Sequence, residues 1–244
     1  MKKRIDLLLV EKNHVETRAK AQAMIMAGQV FVAGKKVKKS SEVFVSNSSI
    51  SIVSLNPQWV SRGALKLIHA IEYFNLQIKN LICLDIGAST GGFTEVLLKN
   101  KAKKIYAVDV GTNQIHESLK KEEKIISLEK TNARYLTKKI IPDIIDLIVC
   151  DTSFISLKKV LEPSLVFLDK KKGTIIALIK PQFEAKKYEI RKGGVVIEQS
   201  VHQRICKEIE SWFVHECQME VKGIIESPIK GPKGNIEFLI LAKF

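Results

Sequence analysis

Charged side chains lie at the ends of several apolar runs in the second half of the sequence, where they could form a reaction centre. Asp85, Asp109 and Asp151 each close a run rich in Ile, Leu and Val, and Lys180 closes another. Such runs predict buried parallel strands, and ligands bind beyond the carboxyl ends of these strands. A lysine among carboxylates could take a proton from a hydroxyl group or stabilise an oxyanion. We therefore predict one cleft that holds all of these side chains.

A glycine-rich segment follows the first of these strands. It reads Asp85-Ile86-Gly87-Ala88-Ser89-Thr90-Gly91-Gly92-Phe93 and leads into a helix-forming run from Thr94. Glycine lacks a Cβ atom, so a ligand can approach the backbone, and the free N–H groups of a helix start can bind its polar atoms. We predict that this loop binds a nucleotide-type cofactor. The alternative is a tight turn that binds no ligand.

Asp109 closes the second predicted strand, about 20 residues after the loop, where an acid can accept hydrogen bonds from a ribose diol. NAD and S-adenosylmethionine both carry such a diol, so Asp109 alone does not choose between them. The loop lacks the G-x-G-x-x-G spacing of dinucleotide sites. The chain also ends in a predicted strand hairpin, which is typical of methyltransferases. Both features favour S-adenosylmethionine.

The elements that must position these residues alternate from Leu81 onward. Apolar runs with helix-like segments between them predict a parallel sheet that is covered on both faces. The predicted strands are residues 81–86, 105–110, 125–129, 144–151 and 174–180. Two last runs, 219–225 and 236–241, are joined by too few residues for a crossover, so we expect them to be antiparallel. This places Glu237 at the edge where the parallel strands end.

The composition indicates a folded and strongly basic protein. Its 244 residues include 40 Lys and Arg against 26 Asp and Glu, a net charge of +14, and 45% are hydrophobic. Residues 1–66 hold 12 basic and 4 acidic side chains, so much of the excess lies in a quarter of the chain. This asymmetry points to a basic module that meets phosphates or an anionic membrane.

The cysteines and the amino terminus bear on the compartment. Cys83, Cys150, Cys206 and Cys217 form no C-x-x-C pair and have no histidine pair at ligand spacing, so we predict no metal site. Two of them lie in apolar runs, which favours buried thiols in a reducing compartment. The first apolar run is too short for a signal peptide, and no window is apolar enough for a membrane helix. We expect a cytoplasmic protein.

The first 55 residues predict a small α+β module. We expect one helix over residues 4–16 and a second that begins at Thr17 and ends at Gly28. Strands follow over residues 29–32, from Val37 and over 50–53, with a turn at 33–36. Many basic side chains lie in this module, and such a run is often only a solvated face.

The order of residues in this module resembles the S4 RNA-binding domain. The resemblance rests on Arg4-Ile5-Asp6, on Thr17-Arg18-x-Lys20-Ala21 and on the A-G-x-V-x-V-x-G run at 27–34. It implies that basic side chains carried by the helix pair and its loops contact structured RNA, where Lys and Arg meet phosphates and 2′-hydroxyls. The implied RNA contacts in this module are Arg4, Arg18, Lys20, Lys35 and Lys36.

A junction at residues 56–60, Asn-Pro-Gln-Trp-Val, separates the predicted domains 1–55 and 61–244. Its proline restricts the backbone of the residue before it. Ser61 could cap the next helix, residues 62–74, whose apolar stripe contains Leu67, Ile71 and Phe74. Lys66 lies off this stripe, and the periodicity alone favours an ordinary solvated lysine.

Four motifs resemble the TlyA family over nearly the whole chain: WVSRGAxKL at 59–67, the loop at 85–93, DxSFISL at 151–157 and IKPQFE at 179–184. That family joins an S4 domain to an FtsJ-like methyltransferase domain that acts on the ribose 2′-hydroxyl of cytidine in ribosomal RNA. The resemblance implies an α/β, Rossmann-like class I methyltransferase fold with S-adenosylmethionine as cofactor. It implies ribosomal RNA, within the ribosome or its subunits, as partner, with no obligatory protein partner.

The resemblance also implies roles for individual residues. The family's catalytic tetrad falls on Lys66, Asp151, Lys180 and Glu237. Its cofactor positions fall on Asp85, Asp109 and the loop from Gly87 to Phe93, with Asn132 near the adenine. Arg62, one turn before the first tetrad lysine, joins the implied RNA contacts. Whether Lys180 acts as a base or as a partner of the oxyanion stays open.

The linker departs from the family pattern, because Pro57 stands where an R-x-W-V-type linker has arginine. Some members methylate both ribosomal subunits and shorter ones only the large subunit. The linker and the short ends of this sequence lead us to expect methylation of the large subunit, with methylation of both subunits as the alternative. Other functions in view are a membrane-active haemolysin, a name that the family also carries, a small-molecule methyltransferase and a non-catalytic RNA-binding protein.

Overall fold

The computed structural model describes residues 2–15, 17–26, 28, 30–52 and 59–244. The chain divides into two compact units, residues 1–58 and 59–244. The predicted linker residues 56–58, together with the predicted strand residues 29 and 53, lie outside the described residues. In the described ranges, no helix combines the length and the apolar character that crossing a bilayer requires.

The amino-terminal unit packs two helices against short strands. Its described elements are β1 (Lys2–Arg4), α1 (Ile5–Glu11), α2 (Arg18–Met26), β2 (Val30–Val32), β3 (Lys35–Lys36), β4 (Val43–Val45) and β5 (Ile50–Ile52). Strand β2 lies between β3 and β5, antiparallel to both, and β1 pairs with β4. Ile5, Leu8 and Leu9 of α1 are buried together with Ala21 and Ile25 of α2. This small core confirms the predicted helix pair on a sheet.

Several local predictions for this unit were wrong. The first helix covers residues 5–11 rather than 4–16, and Arg4 belongs to β1, a strand that the sequence analysis did not predict. The predicted turn at 33–36 is shorter, because Lys35 and Lys36 pair with β2. Ala33 and Gly34 both have positive φ, 47° and 76°. Such angles are typical of a two-residue hairpin turn, which leaves the lysines in the strand.

A buried carboxylate joins β1, α1 and α2. Asp6 is fully buried and accepts two hydrogen bonds of 3.0 Å from Arg4, through Nε and an Nη atom. Arg18 Nε donates to the same carboxylate at 2.9 Å, and Gln22 Nε2 at 3.3 Å. The hydrogen bond from Arg4 is the largest influence and, with those from Arg18 and Gln22, holds the pKa of Asp6 far below its usual value. Both arginines, implied RNA contacts, therefore also hold this unit together.

The carboxy-terminal unit is a seven-stranded sheet with helices on both faces. In residues 59–244 the strand order is β11-β12-β10-β9-β6-β7-β8. The strands are β6 (Ile82–Ile86), β7 (Lys104–Val108), β8 (Ile125–Leu128), β9 (Leu147–Cys150), β10 (Thr174–Ile179), β11 (Glu220–Glu226) and β12 (Phe238–Lys243). Strands β6 to β10 are parallel, whereas β12 is antiparallel to β10 and β11 to β12. The predicted doubly covered sheet with an antiparallel end is confirmed.

Helices cover both faces of the sheet, and the longer ones pack apolar residues against it. The α-helices are α3 (Ala64–Tyr73), α4 (Gly92–Lys99), α5 (Glu117–Lys120), α6 (Leu157–Leu161), α7 (Pro181–Glu184) and α8 (Gln199–His215). Short 3-10 turns lie at Ala133–Tyr135, Glu162–Val166, Lys187–Glu189 and Pro232–Gly234. Helices α3 and α4 pack on one side of the sheet, and α6 and α8 pack within a separate core cluster. Most of the apolar core of this unit lies in these two layers.

The register of the sheet brings its strand ends together. Ile86 pairs with Val108 and with Cys150, and Cys150 pairs with Ala177, so the parallel strands end at one edge. Ile179 pairs with Phe238, so β12 starts where β10 ends. The residues that follow or precede these ends are therefore neighbours in space, although they are far apart in sequence.

We expect Asp6→Asn to destabilise the amino-terminal unit by about 1–3 kcal/mol at pH 7, because it removes the charge that binds both arginines. Since the pKa of Asp6 is lowered on folding, its contribution is present above the unfolded value of 3.8 and is lost as the pH falls below it. Calorimetry of the full chain should show that the difference in stability between Asp6→Asn and wild type becomes smaller below about pH 4.

Glu11→Gln provides the matched control. Glu11 belongs to the same helix but forms an exposed ion pair with Lys3. Exposed pairs contribute about 0–1 kcal/mol, so this variant should unfold nearly as wild type does. Equal losses of stability in the two variants would contradict the role assigned to Asp6. A stability loss for Asp6→Asn that does not change with pH would contradict it as well.

Candidate active site

Four charged side chains meet at the edge where the strands end, and three of them are buried while Asp151 is partly buried. Lys66 Nζ lies 3.1 Å from Asp151 Oδ2 and 2.8 Å from Glu237 Oε2. Lys180 Nζ lies 2.5 Å from Asp151 Oδ1. Each of these side chains is at most 19% exposed. The structure thus brings together all four residues of the predicted catalytic set. They form one network of ion pairs that joins two lysines and two carboxylates.

The elements of the sheet explain this meeting. Asp151 follows β9, Lys180 follows β10 and Glu237 precedes β12, and the register places these three strand ends side by side. Lys66 comes from α3, whose residues Ala64 and Leu67 are buried against the sheet. Each member of the set therefore comes from a different segment of the chain.

The solvated position that the periodicity favours for Lys66 is wrong. Its side chain is 9% exposed, although it lies off the apolar stripe of α3. The start of α3 packs against the glycine loop, where a Cβ atom on Gly92 would lie 2.6 Å from Ser61 Oγ. This contact brings the first turn of α3 to the carboxyl edge of the sheet. There two carboxylates provide the partners that a buried ammonium group needs.

Asp151 is the centre of the network. Burial raises the pKa of Asp151, but the charges of Lys180 and Lys66 and their hydrogen bonds lower it by more, so the pKa of this carboxyl lies below its usual value. Asp151 therefore stays ionised at neutral pH and can hold both ammonium groups in place.

Two further residues extend the network at its ends. Lys180 Nζ donates a hydrogen bond to Ser153 Oγ at 3.0 Å, and Gln182 Nε2 donates to Glu237 Oε1 at 3.3 Å. Neither Ser153 nor Gln182 was predicted from the sequence as a site residue. Both lie inside the motifs at 151–157 and 179–184, so their position in a motif was the available signal. Their contacts give the outer atoms of the network fixed partners.

A cavity of about 480 Å³ lies beside the network. It is lined by Gly87, Ser89, Asp109 and Asn132 of the predicted cofactor set, and also by Asp151. Gly87 has a φ of 83°, and a Cβ atom there would lie 2.7 Å from the carbonyl oxygen of Asp151. Only glycine fits this approach of two backbones. The cavity has the size of a small-molecule site and, like such sites, a mainly apolar lining with a few polar groups.

Asp109 holds the glycine loop against its strand. The backbone N–H of Ser89 donates to Asp109 Oδ2 at 2.8 Å, and that of Gly111 donates to Oδ1 at 2.7 Å. Asn132 Oδ1 accepts a hydrogen bond from the backbone of Arg134 at 3.1 Å. Each carboxylate oxygen has a second lone pair, so Asp109 can still accept hydrogen bonds from a diol.

A second cavity, of about 610 Å³, opens over Lys66 and Lys180. Three residues of the predicted cofactor set line this second cavity and not the first cavity: Ala88, Gly92 and Phe93. Three others line neither cavity: Asp85, Thr90 and Gly91. Arg62, Lys230 and Gly231 are also among its lining residues. Asp151 and Ser153 line both cavities, so the charged network lies where the two cavities meet.

Asp85 lies buried beneath the glycine loop. Thr94 Oγ1 donates to Asp85 Oδ2 at 2.6 Å, whereas Asp85 Oδ1 has no hydrogen-bond partner among the described residues. Burial, with smaller contributions from the charges of Asp151 and Asp109, raises the pKa of Asp85 to about 7 despite the hydrogen bond from Thr94. An unpaired buried carboxyl oxygen is costly, and it suits a site whose ligand brings a positive charge or a donor group.

An exposed aromatic side chain stands at the border of the first cavity. Phe154 is 91% exposed and lines that cavity, and its φ of 65° is unusual for a residue with a large side chain. Its ring centroid lies 5.2 Å from that of Phe183. Phe154 was not predicted as a site residue, because exposure is not visible in a pattern of residue types.

Two family models match the chain. FtsJ-like methyltransferase matches residues 59–244, and the S4 domain matches residues 3–45. Both fall within the units that the contacts define. The two parts that the motifs imply are therefore present.

Curated relatives match nearly the whole chain. Hemolysin A of Brachyspira hyodysenteriae is 40% identical over 97% of this chain and 98% of its own. The 16S/23S rRNA (cytidine-2′-O)-methyltransferase TlyA of Mycobacterium tuberculosis is 39% identical over 97% of this chain and 88% of its own. The 23S rRNA (cytidine-2′-O)-methyltransferase TlyA of Campylobacter jejuni is 36% identical over 96% of this chain and 97% of its own.

A solved structure is also similar. A hemolysin-like protein of Streptococcus thermophilus superposes with a TM-score of 0.77, at 38% identity, and covers 99% of this chain and 88% of its own.

We expect Asp85→Asn to change the pH dependence of stability. The pKa of Asp85 is raised on folding, from 3.8 to about 7, so its neutral form favours the folded state at low pH. The contribution of Asp85 to wild-type stability should therefore fall as the pH rises from about 4 to 7. The asparagine variant lacks this loss. Its stability relative to wild type should therefore increase by at most roughly 4 kcal/mol between pH 4 and pH 8. Urea unfolding at both pH values measures this difference.

Asp143→Asn is the control with the opposite sign. Hydrogen bonds from Lys104 and Tyr106 lower the pKa of Asp143. Its amide variant should therefore lose stability relative to wild type as the pH rises. A difference between Asp85→Asn and wild type that is the same at pH 4 and pH 8 would rule out a buried neutral Asp85.

Proposed function

This chain belongs to the TlyA family of FtsJ-like methyltransferases, and from that premise we propose that it methylates the ribose 2′-hydroxyl of cytidine in ribosomal RNA. We propose S-adenosylmethionine as the methyl donor. Ribosomal RNA as substrate, within the ribosome or a subunit, makes the cytoplasm the proposed site of action.

The observation that carries this proposal is the network of Lys66, Asp151, Lys180 and Glu237 at the meeting point of two cavities. Methyl transfer between two bound molecules needs a donor site and an acceptor site that share a border. The first cavity, lined by Asp109, suits the methyl donor. The second cavity, over Lys180, suits the RNA and is called the acceptor cavity below. The groups that act on the hydroxyl then stand between them.

The residues of the first cavity fit the proposed cofactor. Asp109 would accept hydrogen bonds from its ribose diol, Asn132 would lie near its adenine, and Gly87 would let it approach the backbone. Asp85 lies buried beneath the loop and lines neither cavity, so it would act on the cofactor only through the loop that it supports. When bound, the cofactor supplies an electrophilic methyl group on a sulfonium centre.

Lys180 is the proposed catalytic contact with the 2′-oxygen. An ammonium group has three N–H donors, and those of Lys180 meet Asp151 and Ser153, so one remains for the acceptor. Lys180 would donate a hydrogen bond to the 2′-oxygen and stabilise the negative charge that develops as the hydroxyl proton passes to water. Lys66 is held by two carboxylates, which suits a structural role in placing Asp151. Fixing the acceptor oxygen in line with the methyl group should provide much of the rate.

RNA recognition is proposed for both units. The exposed Lys35 and Lys36 of β3 are the clearest candidates in the amino-terminal unit, with Arg4, Arg18 and Lys20 on the same small domain. In the carboxy-terminal unit, the exposed ring of Phe154 offers a surface on which a nucleobase can stack. Basic side chains would provide affinity, and the stacking surface would place the target nucleotide.

We expect Lys180→Ala to lower methyl transfer by about 10²–10³-fold, since it removes the donor that stabilises the developing charge on the 2′-oxygen. Tritium transfer from labelled S-adenosylmethionine to ribosomal subunits measures this rate. Calorimetric binding of the cofactor should be retained, because Lys180 lines the acceptor cavity and not the first cavity.

Lys171→Ala is the matched control. Lys171 is exposed and lies before β10, at the edge of the sheet opposite Lys180. This variant should transfer methyl groups at the wild-type rate. Undiminished transfer by Lys180→Ala would remove Lys180 from the mechanism.

We propose the large subunit as the target. The names of the relatives from Mycobacterium tuberculosis and Campylobacter jejuni both include 23S rRNA, and only the first adds 16S rRNA. Primer extension across both ribosomal RNAs, from cells with and without this enzyme, should show one or more enzyme-dependent stops in 23S rRNA only. An enzyme-dependent stop in 16S rRNA would contradict this restriction.

A further inference from the structure

The mouth of the acceptor cavity has two exposed cations that the catalytic network does not use. Arg62 and Lys230 line the cavity over Lys66 and Lys180, and both are exposed. Neither forms an ion pair with any residue that the structure describes, whereas Lys66 and Lys180 below them are paired with carboxylates. The mouth therefore carries positive charge that its surroundings do not neutralise.

The turn that carries Lys230 is held by buried contacts. The backbone N–H of Gly231 donates to the carbonyl of Asn235 at 2.9 Å. Asn235 is buried, and its side chain donates to the Gly194 carbonyl at 2.9 Å and accepts from the Val196 N–H at 3.1 Å. Ser227 Oγ donates to the Ile229 carbonyl at 2.7 Å. These bonds fix the backbone on both sides of Lys230.

The same turn rests on the catalytic network. A Cβ atom on Gly231 would lie 2.1 Å from Glu237 Oε1, so the backbone next to Lys230 contacts the carboxylate that binds Lys66. Lys230 thus stands at a defined place relative to Glu237. A group bound by Lys230 would be placed relative to the reacting atoms as well.

The chemistry of RNA indicates what this group is. The 2′-oxygen of a ribose and the bridging oxygen of its 3′-phosphodiester are attached to adjacent carbons. A strand whose 2′-oxygen reaches Lys180 therefore brings an anionic phosphate to the mouth of the same cavity. The uncompensated charges of Arg62 and Lys230 match this anion in sign and position. Lysine binds a phosphate as a point charge, and arginine can add bidentate hydrogen bonds.

We propose that Lys230 binds the phosphodiester on the 3′ side of the target ribose, with Arg62 as its neighbour, and so positions the acceptor strand over Lys180. The inference rests on the proposed methylation of ribosomal RNA, because it assumes an RNA acceptor in this cavity. It assigns a positioning role to a residue outside the four motifs that the sequence shares with the family.

The test compares Lys230→Ala and Lys230→Arg with wild type in the full chain, using tritium transfer to large ribosomal subunits. We expect KM for the subunits to rise about tenfold in Lys230→Ala, with the affinity for S-adenosylmethionine unchanged. The slope of log KM against log salt should fall by about one, as for the loss of one phosphate contact. Lys230→Arg should restore most of the affinity, because it keeps the charge.

Lys171→Ala is again the control, since it removes one exposed positive charge at the opposite edge of the sheet. It should leave KM and the salt slope at wild-type values. A KM and salt slope for Lys230→Ala that match this control would overturn the proposal. A fall in kcat alone, or weaker binding of S-adenosylmethionine, would also overturn it.

Filter binding of the same variants to large subunits requires no turnover and separates this inference from the proposed function. If wild type binds subunits through a Lys230-dependent, salt-sensitive contact but transfers no methyl group to them, the proposed function fails and the phosphate contact stands. If wild type methylates the subunits and Lys230→Ala binds them equally well, the phosphate contact fails and the function stands.

Discussion

The ion pairs around Asp151 are the constraint on which the carboxy-terminal unit depends. Moving a charged group out of water costs several kcal/mol, which is recovered only when partners of opposite charge meet it with good geometry. Here two lysines and two carboxylates satisfy one another at distances of 2.5–3.1 Å. Each comes from a different segment, so the network can form only when α3, β9, β10 and β12 all reach the same edge. The sheet register is therefore also the condition for the reaction centre.

The glycine loop shows the same coupling between fold and function. Gly87 passes so close to Asp151 that a Cβ atom would meet its carbonyl oxygen, and Asp109 ties the loop to the next strand. Beneath the loop, Asp85 keeps a carboxyl oxygen without a partner and a raised pKa. A folding core alone would gain nothing from this unpaired group. Its presence is understandable if the site exchanges stability for ligand binding, as functional sites commonly do.

The two units divide the work of an enzyme that modifies a large RNA. The amino-terminal unit has its own apolar core and its own buried charge, Asp6, which organises two arginines. The carboxy-terminal unit carries the proposed reaction centre, and the mouth of the proposed acceptor cavity adds the exposed positive charges of Arg62 and Lys230. Under the proposed function, salt-dependent contacts with phosphates and the chemistry at one ribose would be provided by different groups.

The sequence by itself determined the strands of the parallel sheet, the antiparallel pair at the end of the chain and the placement of most of the candidate site residues. Continuous apolar runs predicted the parallel strands, and a connection too short for a crossover predicted the antiparallel hairpin. Since strand ends meet at one edge, the charged residues Asp109, Asp151, Lys180 and Glu237 could be placed there in advance. The roles assigned to these residues stay predictions, but their placement follows from apolar pattern and connection length alone.

Only the tertiary structure decided which polar side chains are buried. Periodicity favoured a solvated Lys66, yet its partners are 85 and 171 residues away in sequence, and no local pattern contains them. The contacts of Ser153, Gln182 and Gly231 and the exposure of Phe154 depend in the same way on distant segments. Apolar burial can be read from a repeat along one element, because any apolar neighbour satisfies it. Polar burial requires a particular partner at a particular distance, and that partner is known only when the chain has folded.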